Sequence, residues 1–466
     1  MATITDDTMQ NKLDELAIEL EVPGVAAAAL ANGQEHYAFH GVTSVENPLP
    51  VDDTTLFQFG STGKTFTATA IMRLVESGRV ALDAPVRTYV PELRLRDEGV
   101  AHRVTVLHLL NHTAGWAGDL MNVTGEGDDA LERYVARMAD LEQVSPLGAT
   151  VSYNNASLSL AGRVIENVTG QVYEQAIRDL VLTPLGLTST YFFMTEIMTR
   201  RFAVGHTKHD DGRITVARPW ALPRANAPAG GMSANAGDQL AWARFHLGDG
   251  GAQDGTQVLS RELLELMQQP TAEMRGSALG DAVGISWLLR DVDGVRLVTH
   301  GGTTHGQYSD FVLGPERGVA VISMTNCGPN GAQLNHALVD WALEHFAGIH
   351  PAEDHPVLRS DEALAAYIGR YETIAAVVDI SAEAGRLLAR ATVKPEMAKA
   401  LAEAGEAPDE QPPLPIAFLS ADGEGFTVPE GPAEGMKGYF VREADGHVSG
   451  VHLGGRLATR VASVPA

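Results

Sequence analysis

The residues best suited to do chemistry begin with Ser61-Thr62-Gly63-Lys64. On a helix, positions three apart share a face, so the Lys64 amine can stand beside the Ser61 hydroxyl. A serine hydroxyl is a poor nucleophile until a base takes its proton. A neutral amine takes it where burial or neighbours depress the lysine pKa. Ser61 also follows Phe59-Gly60 at the expected helix start, where unpaired N–H groups suit a developing oxyanion. By itself, so short a motif is better read as an N-cap serine with a solvated lysine.

Two further groups add to it. Tyr153-Asn154-Asn155 precedes a stretch of helical periodicity. There the phenol can relay a proton and an amide can hold a substrate carbonyl. Asn155 can equally be the N-cap of that helix. His300-Gly301-Gly302 ends a β-like run, and its glycines let a substrate backbone approach a strand edge. The N–H of Thr303 then becomes available as an oxyanion donor.

Together these groups resemble the serine β-lactamase and penicillin-binding-protein superfamily, in which Ser-x-x-Lys has companion motifs. Their order and wide spacing are similar to the class C β-lactamase branch, with Tyr-x-Asn second. Residues 105–115, 228–233 with Asp238, and 300–306 are similar to that family's esterases and D-aminopeptidases. The similarity covers about residues 10–347, and the rest looks like the lipocalin-like barrels appended to some members.

The resemblance implies a serine hydrolase that cleaves an ester, or an amide or peptide bond, through an acyl-enzyme. Ser61 would be the nucleophile, Lys64 its activating partner and Tyr153 the general base or acid. Asn155, His300, Gly301, Gly302, Thr303 and His305 would meet the substrate. The N–H groups of Ser61 and Thr303 would form the oxyanion hole. His300 stands where many relatives carry lysine, and a histidine is often neutral at pH 7. Weak β-lactamase and carboxypeptidase activity is therefore expected. Relatives with such a barrel lean slightly toward peptidases. A β-lactamase, an acyltransferase and a non-enzymatic acyl-binding sensor are the alternatives. The resemblance calls for no cofactor.

The elements that must position these residues follow from periodicity. Residues 8–20 have helical spacing, and Asn32-Gly33 between two β-like runs signals a hairpin. A helix is expected from about Ser61 to Ser77, with Gly78 as its C-cap. Further helices are expected over 105–112, 129–141, 155–169, 237–247 and 330–347. Residues 284–325 read as an antiparallel meander. Strands at both ends of the first 350 residues, with helices between, imply an α+β fold: one antiparallel sheet flanked by helices, beside an all-helical lobe. After a proline-rich linker, residues 351–466 read as a small all-β barrel or sandwich. The expected domains are thus 1–350 and 351–466. The second is expected to cap the pocket or mediate assembly, and residues 403–415 within it read as a mobile loop.

Composition fits this picture. The chain has 466 residues, 44% hydrophobic and 20% charged, with a formal net charge of -25. That charge repels nucleic acid and anionic membranes. The single cysteine, Cys327, excludes disulfides within the chain and reads as a small buried hydrophobe. His108 and His112 share a helix face, but without a following glutamate or a third ligand they read as structural rather than zinc-binding. Trp116 serves equally well as pocket wall or as packing. An acidic start and the lack of long apolar stretches imply a cytoplasmic protein acting on small substrates; homo-oligomerisation stays open.

Overall fold

The computed structural model describes residues 7–118, 120, 124–351, 354–383, 385–403, 412–431 and 433–461. Most of the expected mobile loop, residues 404–411, lies outside them.

The N-terminal half of the architecture is an eight-stranded antiparallel sheet made from both ends of the first 350 residues. Its strands are β1 (Gly24–Ala31), β2 (Gln34–Gly41), β3 (Ala272–Ser277), β4 (Gly280–Val283), β5 (Leu288–Val292), β6 (Val295–Thr303), β7 (Tyr308–Gly314) and β8 (Val319–Thr325). They lie in the order β2-β1-β8-β7-β6-β5-β4-β3. The β1–β2 turn is the expected Asn32-Gly33, both residues at positive φ (53° and 75°), as a two-residue hairpin requires. The meander extends further than expected, because β3 and β4 precede it. Their polar and glycine-rich sequence carries little β signal, and pairing of β4 with β5 and of β3 with β4 makes them strands.

One face of the sheet is covered by α1 (Asp7–Glu19) and a C-terminal helix (Asn330–Ala347), whose Leu13, Leu16, Leu334 and Leu338 are buried with the odd residues of β1. Cys327 is buried in the same cluster, as expected. The other face packs against the helical lobe around α2 (Gly63–Glu76) and α3 (Asn155–Thr169). The lobe's smaller helices are shorter than their periodicity implies: one spans Val106–Leu110 and another Ala130–Arg137. Phe66 on α2 is fully buried and stacks on Trp242, with ring centroids 3.9 Å apart and planes at 14°. That contact ties the helix beginning just after Ser61 to the helix Ala236–Leu247.

The C-terminal part is a closed barrel of eight strands in sequence order, from Gly369–Glu372 through Val448–Leu453 and Arg456–Arg460, the last pairing with the first. An eight-stranded barrel is narrow enough for side chains to fill, and Tyr371, Phe418, Phe426 and Phe440 are buried together in its core. A short helix, Pro395–Glu403, interrupts the strands where none was expected. The barrel strand Lys437–Arg442 packs beside β3. Among the described residues, no helix is long and apolar enough to cross a membrane.

All five tryptophans precede residue 350, so their fluorescence reports unfolding of the sheet-and-helix part alone. Phe66→Ala removes a fully buried aromatic ring. It is expected to lower the stability of that part by about 3–5 kcal/mol, read as a lower urea midpoint of tryptophan fluorescence.

Candidate active site

Ser61 lies in a single 3-10 turn, Gly60–Thr62, that runs directly into α2. The turn touches β6 at a distance only glycine permits. A Cβ on Gly60, whose φ is +53°, would lie 2.8 Å from the Thr303 nitrogen, and one on Gly302 would lie 1.9 Å from the Phe59 carbonyl oxygen. Side-chain hydrogen bonds hold the two together. Ser309 Oγ donates to the Phe59 carbonyl at 2.8 Å, and Thr62 Oγ1 donates to the His300 carbonyl at 3.1 Å. The N–H groups of the Ser61 turn and of Thr303 are thereby brought side by side.

Lys64 follows one helical turn after Ser61. Its side chain is fully buried. Nζ donates to Ser61 Oγ at 2.9 Å and to the Ala229 carbonyl at 2.7 Å. Ala229 belongs to the short helix Ala227–Gly230, within the 228–233 stretch noted in the sequence. Small residues are needed there: a Cβ on Gly230 would lie 2.8 Å from the Gly60 carbonyl carbon. Asp238, from the same stretch, accepts from Ser189 N and Thr190 Oγ1, both at 2.8 Å, and so braces the neighbouring loop.

Tyr153 is 8% exposed and faces this pair, with the Lys64 Nζ 4.8 Å from its ring centroid. His112 packs on the ring at 4.6 Å and His300 lies at 6.2 Å. His300 is buried; its Nδ1 lies 2.7 Å from the Gly301 carbonyl. Burial, with the nearby Lys64 charge, pushes its pKa down to about 3. The position expected to carry a neutral histidine is therefore neutral at pH 7. His112 is also held well below the usual histidine range, by burial first and then by Lys64, His300 and Arg456.

Asn155 is the first residue of α3 and lines the cavity; the N-cap is its neighbour. Asn154 Oδ1 accepts from Ser157 N at 2.8 Å, and its Nδ2 donates to the Trp116 carbonyl at 2.9 Å. Trp116 itself is buried packing rather than pocket wall. His108 caps its own helix, its Nδ1 accepting from Thr105 N at 3.1 Å.

Beside Ser61 opens a cavity of about 450 Å³. Ser61, Tyr153, Asn155, His300, Gly301, Gly302 and Thr303 all line it. His305 is not among its walls. It sits in the turn between β6 and β7, where its carbonyl oxygen would lie 1.8 Å from a Cβ on Gly205. The next residue, Gly306, has φ +70°. Along β6, pairing with β5 ends at Thr299, whereas pairing with β7 continues to Thr303. Residues 301–303 therefore present an edge to the cavity that an extended substrate backbone can meet.

Two wall residues come from the barrel and were not foreseen: Gly454 and Arg456, at the tip of its last hairpin. The Arg456 guanidinium carbon lies 5.5 Å from the Tyr153 ring centroid. The Gly454-Gly455 pair signals a hairpin in the sequence, but nothing local says where that hairpin points.

The arrangement combines a serine hydroxyl hydrogen-bonded to a buried amine, a phenol over that amine, and adjacent backbone donors. It can form and break an acyl ester. Comparison with known proteins gives the same kind of molecule. Penicillin-binding protein 4 of Amycolatopsis lactamdurans is 37% identical over 358 residues, covering 75% of this chain and 94% of that protein. The crystal structure of SurE covers 98% of this chain and 99% of that one, barrel included, with a TM-score of 0.77 at 24% identity. A class C β-lactamase from Rhodobacter sphaeroides covers 72% of this chain and 100% of its own, with a TM-score of 0.60 at 22% identity. The Beta-lactamase family model matches residues 6–343, and the chain belongs to that family.

Proposed function

We propose that the chain is a serine hydrolase that cleaves a small carboxylic ester, amide or peptide bond through an acyl-enzyme on Ser61. The observation that carries this reading is the 2.9 Å hydrogen bond between Ser61 Oγ and the buried Lys64 amine. Ser61 Oγ attacks the carbonyl carbon while its proton passes to the Lys64–Tyr153 pair. The oxyanion is held by the N–H groups of Ser61 and Thr303. The bond to the leaving group breaks as that group takes the proton back. Water then repeats the sequence on the acyl ester and frees Ser61.

Arg456 narrows the substrate class. With His300 neutral, β6 supplies no cation for a substrate carboxylate; Arg290 of β5 also lines the cavity, and the barrel hairpin brings Arg456 to it, beside Tyr153. The favoured substrates are therefore acyl donors or leaving groups that carry a carboxylate, such as amino acids and short peptides. SurE, which shares the two-part architecture, has also been solved with D-Leu, and this favours the D-residue peptidase or amidase side over a plain esterase.

Intact-protein mass after brief exposure to an activated p-nitrophenyl ester tests the nucleophile. One acyl adduct per chain is expected, absent from Ser61→Ala; an unmodified parent protein overturns the reading. Nitrocefin turnover should be slow beside ester turnover, and comparable rates would put the β-lactamase reading first.

Arg456→Ala should raise KM by roughly 10–100-fold for substrates bearing a carboxylate, the equivalent of about 1.5–3 kcal/mol for a charged hydrogen bond. Esters without a carboxylate should keep their KM. Steady-state kinetics on the two substrate sets decide it.

A further inference from the structure

Residues 151–154, which carry Tyr153, belong to neither helix nor strand. A buried irregular segment has no ladder of its own, and its N–H groups need acceptors from elsewhere. Here they come from two opposite sides.

On one side stands His112. Its carbonyl accepts the Ser152 N–H at 3.0 Å, and its Nδ1 accepts the Asn154 N–H at 3.2 Å. Its ring covers the phenol at 4.6 Å. Because Nδ1 accepts, the ring proton sits on Nε2. His112 adopts a left-handed backbone, φ +60°, which lets main chain and side chain reach the same segment. On the other side stands the barrel hairpin. The Gly455 carbonyl accepts the Tyr153 N–H at 2.9 Å. The Leu457 N–H donates to Ser152 Oγ at 3.2 Å, and His452 Nε2 lies 3.0 Å from the Val151 carbonyl. His452 is fully buried and its pKa falls to about 4, chiefly through burial, so it is a neutral donor at pH 7.

The backbone N–H groups alternate along the segment: those of residues 152 and 154 donate to His112, and that of residue 153 donates to the barrel. A β-strand between two neighbours is held in the same way. The hairpin is itself fitted closely, since a Cβ on Gly455, at φ +80°, would lie 2.4 Å from Leu279 Cδ1.

We infer that His112 and the barrel hairpin are the positioning device for Tyr153, so that proton transfer at Ser61 depends on the barrel being docked. The inference rests on the assignment of Tyr153 as a proton-transfer group. His112, Ser152 and Gly455 touch no reacting atom; they act through Tyr153, and the barrel is a working part of the catalytic site as well as a wall of the pocket.

Three substitutions test this in the full-length chain, with Tyr153→Phe as reference. Ser152→Ala removes the acceptor for Leu457. His112→Asn keeps a residue that tolerates the left-handed backbone but withdraws the ring and the reach to Asn154. Gly455→Ala forces the hairpin off Leu279. Near-UV circular dichroism and the thermal midpoint show which variants keep the parent fold, and Ser152→Ala, the mildest change, serves if the others do not. The readouts are kcat, KM and the pH profile of acylation with one p-nitrophenyl ester lacking a carboxylate, so that Arg456 does not enter.

The expected result is a fall in kcat of about 10–100-fold, the scale of a small misplacement of a reacting group, with KM unchanged. The pH limb that Tyr153→Phe abolishes should move in the same variants. Variants that raise KM at constant kcat, or that keep both kcat and the pH limb while Tyr153→Phe is impaired, would overturn the inference and leave the role of Tyr153 intact. Parent-like acylation by Tyr153→Phe would instead remove the role of Tyr153, and the positioning device with it.

Discussion

The site depends on one close approach: the turn bearing Ser61 meets β6 with no side chain between them. Gly60 and Gly302 are the two residues at the crossing, and each faces a backbone atom too near for any Cβ. Everything else is arranged around that contact. Thr62 and Ser309 hydrogen-bond across it, Gly230 closes over it from behind, and α2 carries Lys64 away from it on the face that looks back at Ser61. Two N–H groups can point at one oxyanion only when their chains are this close. The contact explains why a helix start and a mid-sheet strand, about 240 residues apart in sequence, must be fixed by the same core. It also explains why Phe66, on the first turns of α2, is anchored by stacking on Trp242.

The second constraint is electrostatic. The cavity holds a buried lysine, and two imidazoles close to it are forced neutral by burial and by that positive charge. A second lysine at the His300 position would add a like charge within the same desolvated space. Guanidinium groups instead reach the cavity wall, Arg290 from β5 and Arg456 from the barrel. A guanidinium keeps its charge wherever it is placed, and its flat fork suits a carboxylate. On the proposed reading, the charge that binds substrate is kept apart from the Lys64 amine.

What the sequence made legible was local or periodic. Ser61 and Lys64 are a helical turn apart, so their meeting follows from helix geometry alone. Asn32-Gly33 needs only the strands on either side of it. The α+β plan followed from strands at both ends of the first 350 residues, and the barrel from repeated turns. What was not legible depended on where distant chain segments meet. Asn155 read as the cap on paper, but Asn154 takes that place, its Oδ1 accepting from Ser157 N and its Nδ2 held by the Trp116 carbonyl. His305, two residues past Thr303, lies in the β6–β7 turn and is not among the cavity walls. His112 looked structural because its chemistry lies in acceptors for a segment 40 residues on, and helix periodicity does not report that. Arg456 lies outside the stretch that resembles the family's catalytic domain, so no motif led to it.

Tyr153 on its irregular segment shows why the two parts of the chain meet at one cavity. Had Tyr153 been placed more than a turn inside α3, the helix would have satisfied its backbone and the barrel would have been dispensable for it. Instead three consecutive N–H groups look outward for partners, and the middle one finds its acceptor on Gly455. Leaving such a buried donor unpaired costs about 1–3 kcal/mol. That is enough to favour another path for the segment, and a phenol that moves with it. The same hairpin that brings Arg456 to the cavity thus supplies the acceptor for the Tyr153 N–H. On the proposed reading, substrate binding and proton transfer are coupled through a single loop. A chain cut at residue 350 would retain Ser61, Lys64 and Thr303, but it would lack Arg456 and the Gly455 carbonyl.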